Sequence, residues 1–214
     1  MIDSMTQSPT VEPTYVRRNK RRTRLIVALV ILGVGGGIGF KYARHHIFPK
    51  RFAEVVPGKL YRSGYCQPGP LTRIIRDHNI KTILVLLNDE PDSPEQQKEL
   101  AVVQREGVKL IRIGMPGDGC ADFDALEKAA DIIADASTQP LLVHCYAGTN
   151  RTGAAYAVWR MRHCGWNYEQ TMDECEDNEL SPHYSAKLFD HLKRYYAARI
   201  AGPTSKPATR PAEA

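Results

Sequence analysis

The chain is poor in the residues that staple or chelate. Its five cysteines, Cys66, Cys120, Cys145, Cys164 and Cys175, are odd in number and include no C-x-x-C pair. That spacing offers neither a disulfide framework nor a metal site. Sixteen glycines and fourteen prolines among 214 residues, without a period, exclude a collagen-like chain, and no internal repeat is evident. Only one uncharged apolar stretch has membrane-like length, which excludes a polytopic membrane protein. A basic surface is also missing where a nucleic-acid binder would need it. Residues 1–51 hold ten Lys/Arg against two Asp/Glu, whereas the remainder holds 19 against 22. The net charge of +5 therefore belongs to the N-terminal flank, and no nucleic-acid partner is expected.

What is present is an average globular composition, 43% hydrophobic and 25% charged, long enough for one domain with appendages. Residues 1–24 are basic, rich in Ser, Thr and Pro at their start, and read as a disordered segment. From Leu25 to Phe40 the sequence LIVALVILGVGGGIGF carries no charge. Extended to residue 43, with Lys41 snorkelling, it reads as a single transmembrane anchor over 25–43. Six Lys/Arg precede it and four follow, so the positive-inside rule puts the N-terminus in the cytoplasm. Gly33 with Gly37, and Gly35 with Gly39, match the small-xxx-small spacing of weak helix homodimers. Residues 202–214, GPTSKPATRPAEA, read as a second disordered tail.

Between these flanks, residues 52–201 alternate strand and helix patterns. Pro57-Gly58 marks a hairpin within 52–62, and Pro68 opens a helix whose Leu71, Ile74 and Ile75 share a face. The run TILVLL at 82–87 has the continuous apolar character of a strand covered on both faces. Ser93-Pro94-Glu95-Gln96 offers an N-cap, a first-turn proline and a capping-box Gln for a helix that Gly107 ends. Strand 109–114, helix 122–137 and strand 141–144 follow, then helices from Thr152, near Tyr168, and over 182–201. This order predicts an α/β domain with a central, mostly parallel sheet flanked by helices.

The chemistry concentrates after the last strand, in His144-Cys145-Tyr146-Ala147-Gly148-Thr149-Asn150-Arg151-Thr152-Gly153. A strand running through such a loop into a helix is the setting of an anion site, because amides at a helix N-terminus point at the ligand and the dipole favours negative charge. Five residues between Cys145 and Arg151 suffice to wrap amides around a phosphoryl group, with the sulfur beneath and a guanidinium forked onto two oxygens. Tyr146, Ala147, Gly148, Thr149 and Asn150 would line that cradle. Gly148 permits a positive φ within it. The same surroundings favour a Cys145 thiolate, the nucleophile of a phosphocysteine pathway. Thr152 is placed to donate its hydroxyl to the sulfur as that intermediate breaks down, and His144 to orient the loop.

The segment HCYAGTNRTG resembles the HCxxGxxR(S/T)G signature of the cysteine-dependent protein tyrosine and dual-specificity phosphatases. Leu60-Tyr61-Arg62-Ser63-Gly64, the strand at 82–87, and Tyr156 and Trp159 leading to Gly165-Trp166 extend the resemblance to the small bacterial dual-specificity-like group. The likeness covers about residues 52–200. It implies metal-free, cofactor-free hydrolysis of phosphate monoesters, with Cys145 as nucleophile and Arg151 as phosphate clamp. It also implies a general-acid Asp on a mobile upstream loop, for which Met115-Pro116-Gly117-Asp118-Gly119 is the natural candidate. Asp122 and Asp124 compete with Asp118, but read more simply as a helix N-cap and a first-turn acid. With no Lys or Arg between Cys145 and Arg151, a phosphorylated protein, with phosphotyrosine the leading candidate, is the expected substrate. The alternatives are a catalytically silent phospho-binding module and a phosphatase of a non-protein substrate such as a phosphoinositide.

Overall fold

The computed structural model describes residues 20–202; within them, the side chains of 20, 21, 23 and 39–47 lie outside the described residues. The chain forms two compact units, residues 1–43 and 44–214. The first contains most of helix α1 (Lys20–Ile47), which begins inside the segment expected to be disordered. The expected span at 25–43 is not supported. Among the described residues no helix is long and apolar enough to cross a membrane. The tail beyond 202 and the segment 1–19 fall outside the described residues.

The second unit is built on a five-stranded sheet. Strands β1 (Ala53–Val56) and β2 (Leu60–Gly64) form the hairpin that Pro57-Gly58 marks, with Gly58 at φ 68°. Helix α2 (Pro68–Asp77), β3 (Thr82–Val85), α3 (Pro94–Glu106), β4 (Lys109–Arg112), α4 (Phe123–Ala134) and β5 (Leu141–Cys145) follow. Three helices, α5 (Asn150–His163), α6 (Tyr168–Asp177) and α7 (Pro182–Tyr195), complete the domain, the last running on into a π turn at Tyr196–Ile200. The strand order is β1-β2-β5-β3-β4. The hairpin is antiparallel and every other pairing is parallel, so the sheet is mixed with a parallel centre.

Alternation along the central strands divides the core in two. Leu60, Leu84, Leu141, Val143 and Cys145 join the cluster made with α4, α5, α6 and α7. Tyr61, Ile83, Val85 and Leu142 face the opposite way, toward α2 and α3. Both faces of β3 and β5 are thus covered, as their uninterrupted apolar runs require. The parallel centre places the carboxyl ends of β3, β4 and β5 at one edge, where loops after β4 and β5 emerge together.

Local signals are met unevenly. Asp122 caps α4 by accepting from the Ala125 amide, and Gly107 ends α3 in the left-handed region at φ 68°. The capping box expected at α3 does not form. Ser93 makes no side-chain cap bond, and Gln96 turns back to bond the Glu90 amide and the Asn88 carbonyl, bracing the loop after β3. A complete box stands instead at α6, where Asn167 and Gln170 each hold the other's backbone N–H.

Two substitutions separate core from cap. Leu84→Ala, at a fully buried position, should cost roughly 2–5 kcal/mol, and Asn167→Ala about 1 kcal/mol, in urea melts of the full chain. Equal costs would contradict the packing described.

Candidate active site

The loop between β5 and α5 closes over the carboxyl edge of the sheet. Cys145 is the last residue of β5, buried, and α5 opens at Asn150, two residues before the Thr152 start read from sequence. Arg151 and Thr152 therefore sit in the first turn. The first backbone acceptance inside the turn is by Thr149, whose carbonyl takes the Gly153 amide at 2.6 Å, so the amides preceding it belong to the unpaired N-terminal set.

Four successive carbonyls of this loop are held from outside. That of Cys145 lies 3.2 Å from His144 Nδ1, and that of Tyr146 accepts from the Tyr65 amide at 3.1 Å. The Ala147 carbonyl accepts from Arg51 Nη1 at 3.0 Å, and the Gly148 carbonyl from Arg62 Nη2 at 2.7 Å. In a trans peptide the N–H points opposite to the C=O. Outward carbonyls on 145–148 thus turn the amides of Tyr146, Ala147, Gly148 and Thr149 inward. The Gly148 amide already donates to Cys145 Sγ at 3.2 Å. A cradle of inward amides above a sulfur is an oxyanion site.

Gly148 is fixed by both conformation and space. Its φ is 82°, and a Cβ there would stand 2.6 Å from the Gly64 nitrogen and 2.8 Å from Ser63 carbonyl atoms. Burial pushes the Cys145 thiol up, but the Thr152 hydroxyl and amide, the Gly148 amide and the Arg151 guanidinium outweigh it. The thiol is held below its ordinary value. The buried Arg151 Nε has no hydrogen-bond partner among the described residues, as expected of a donor kept for an oxyanion, while the Thr152 hydroxyl is turned toward the sulfur.

Asp118 lies in the loop after β4, which docks on the start of α5: a Cβ at Gly119 (φ 81°) would meet the Asn150 carbonyl oxygen at 2.9 Å. Its Oδ1 accepts from the Cys120 amide at 3.0 Å and its Oδ2 from Lys187 Nζ at 2.6 Å. The lysine, then that amide, holds the carboxyl below the usual carboxylate range. Of its competitors, Asp122 is the α4 cap, and Asp124 pairs with Arg199 at 2.9 Å. Tyr146, 59% exposed, stands at the rim with its ring nearly parallel to that of Tyr65, centroids 6.5 Å apart, and Lys50 Nζ lies 5.1 Å from it. Asn150 Oδ1 accepts from Ser185 of α7.

Five contributors escape a reading of the loop alone: Arg51, Arg62, Glu99, Ser185 and Lys187. Two carried a signal. Arg62 is the one charged residue of β2 and is only 2% exposed, its charge disfavoured by burial. Glu99 shares the buried face of α3 with Val102 and Val103, an anomaly for a carboxylate. Arg51, Ser185 and Lys187 lie far from the motif in sequence and reach it through the fold.

Gly148→Ala should lower inorganic phosphate affinity at least tenfold, read by calorimetry, because about 1–3 kcal/mol of backbone strain falls on the cradle. Undiminished affinity would exclude the loop as the anion site.

The comparisons agree with this geometry. Residues 46–189 match the model of a tyrosine phosphatase family. The inositol diphosphatase SIW14 of Saccharomyces cerevisiae is 30% identical over 130 residues, 59% of this chain and 44% of SIW14. Meyerozyma guilliermondii OCA1, which carries the provisional name of a tyrosine-protein phosphatase, is 32% identical over 130 residues, 56% of this chain and 66% of OCA1. The chain thus spans less than half of the first relative and about two thirds of the second. The crystal structure of the SIW14 core catalytic domain superposes with a TM-score of 0.56 at 26% identity, over 69% of this chain and 86% of that one. Loop, fold and sequence match together: the chain belongs to the tyrosine phosphatase family.

Proposed function

We propose that the chain hydrolyses phosphate monoesters on protein tyrosine through a phosphocysteine intermediate. The Cys145 thiolate attacks phosphorus as the ester P–O bond breaks, and Asp118 gives its proton to the leaving oxygen. Arg151 and the inward amides of 146–149 hold the equatorial oxygens. Water then attacks the phosphocysteine, Asp118 takes a proton from it, and inorganic phosphate leaves as Thr152 donates a hydrogen bond to the departing sulfur. No metal or other cofactor enters any step.

The observation that carries the substrate reading is the rim. Two nearly parallel tyrosine rings, Tyr146 and Tyr65, flank a loop whose interior positions 146–150 bear no cation, a setting suited to one phosphate on an aromatic ring. A second reading, a multiply phosphorylated inositol, draws support from SIW14 being named an inositol diphosphatase and from cations supplied outside the loop by Lys50 and Arg51. Phosphate release from a phosphotyrosine peptide, a phosphoserine peptide and a diphosphoinositol polyphosphate decides between them. The phosphotyrosine peptide should have the highest kcat/KM; preference for the inositol would replace the first reading, and no turnover with a bound phosphopeptide would make the chain a silent binding module.

Lys187 makes the pH profile informative. Turnover needs an ionised Cys145 and a protonated Asp118, so kcat/KM rises with pH through the first ionisation and falls through the second. Lys187 favours the Asp118 carboxylate, which moves the falling limb to lower pH. Lys187→Met should therefore move that limb upward, whereas Asp118→Asn should slow esters with poor leaving groups by roughly 10²-fold or more. An unmoved limb, or an unslowed rate, would take the proton-donor role from Asp118.

Residues 25–43 are proposed as a single-pass tether with a cytoplasmic N-terminus, supported by the uncharged run and by the basic flank before it. Added protease should digest the C-terminal domain of intact cells; protection would reverse the orientation.

A further inference from the structure

β5 places consecutive side chains on opposite faces. Cys145 lies with the α4–α7 cluster, whereas His144 shares the face of Leu142, toward α3. There it meets a carboxylate. Glu99 Oε1 is 2.8 Å from His144 Nε2, with both side chains 2% exposed. The other ring nitrogen, Nδ1, is 3.2 Å from the Cys145 carbonyl oxygen. Nδ1 thus has an acceptor, and Nε2 has a carboxylate at ion-pair distance without a directed hydrogen bond, a buried anionic setting that favours the cationic ring.

The remaining charges nearby fit that assignment. Glu99 Oε2 lies 3.6 Å from Arg112 Nη2 of β4, and Arg112 Nε lies 3.5 Å from Asp89 Oδ1, in the loop after β3. Tyr65 and Cys66, on the loop after β2, also face Glu99. Burial raises the ionisation of both, Tyr65 to about 12, so they stay neutral where a phosphatase works. Lys50 faces Cys66 from beyond it. Burial opposes a charged His144, but the Glu99 carboxylate outweighs it and raises the ring above its ordinary value.

We infer that Glu99 is a positioning residue for the phosphatase reaction: it keeps His144 doubly protonated, and His144 in turn fixes the Cys145 carbonyl outward and sets a positive charge behind the sulfur. Two effects on the nucleophile follow. The fixed carbonyl turns the Tyr146 amide into the cradle, and the buried cation favours the thiolate over the thiol. Without Glu99, burial returns His144 to the neutral ring, and the thiol ionises at higher pH. The inference rests on Cys145 being the nucleophile, but its test reads ionisation of the sulfur rather than turnover.

The experiment follows iodoacetamide alkylation of Cys145 against pH in the full chain, with peptide mass spectrometry separating it from the other cysteines. Below the thiol's midpoint the rate tracks the thiolate fraction, so a shift of one pH unit is about a tenfold change. Glu99→Gln should move the midpoint upward and cut the rate at acidic pH about tenfold; Glu99→Asp should restore part of it. In a His144→Asn background Glu99→Gln should add nothing. An unmoved midpoint in the folded Glu99→Gln protein, or the same shift in the His144→Asn background, overturns the inference. A measurement without mutation covers the case in which Glu99→Gln does not fold: nitrogen NMR of the wild-type His144 ring should report protons on both nitrogens at neutral pH, and a neutral ring overturns the inference. A shifted midpoint in a chain that turns over no phosphate ester would leave Glu99 in its role and remove the phosphatase reading instead.

Discussion

The site depends on where four carbonyl groups point. A backbone loop has no intrinsic preference for presenting amides to its interior; left to itself it would present both donors and acceptors, and an anion would meet repulsion as well as attraction. Here Cys145, Tyr146, Ala147 and Gly148 each have their carbonyl engaged on the outer side by His144, the Tyr65 amide, Arg51 and Arg62. The interior is left with donors alone. Two of the four anchors are guanidinium groups, whose hydrogen bonds to a neutral acceptor are worth more than amide ones, about 1.5–3 kcal/mol each. That is the scale needed to hold a loop against the mutual repulsion of its aligned amides.

The same arrangement explains how a buried sulfur can be an anion. Burial alone would keep Cys145 as an inert thiol, as it does Cys175, pushed up to about 12. Both cysteines are buried against the same cluster. What separates them is the first turn of α5, the Gly148 amide and Arg151, all directed at one sulfur. In the neighbouring loop after β4, Asp118 is held as a carboxylate by Lys187 of α7, so the proposed proton donor is paired until a substrate competes for it. Both groups are biased toward their deprotonated forms, the sulfur by the adjoining loop and helix turn and the carboxyl by a lysine 69 residues away.

The sequence made the fold and the loop legible for related reasons. Uninterrupted apolar strands, Pro57-Gly58, Gly107 and Asp122 are local devices, and the structure uses each of them as read. The loop from Cys145 to Arg151 is likewise local, since strand, cradle and helix follow one another without a break. Elsewhere local reasoning misled: Gln96 bonds a loop rather than capping its helix. Arg51 and Lys187 were invisible because they act non-locally. Arg51 and Ala147 are 96 residues apart, and Lys187 and Asp118 are 69 apart; only the folded sheet and α7 bring them together.

The most direct test of the cradle is a titration of the isotopically labelled full chain with inorganic phosphate, followed by amide NMR. The backbone amides of Tyr146, Ala147, Gly148 and Thr149 and the Arg151 side-chain Nε–H should shift together with one saturation curve. If phosphate instead moved a different set of amides and left these in place, the inward-facing ring of donors would not exist as described.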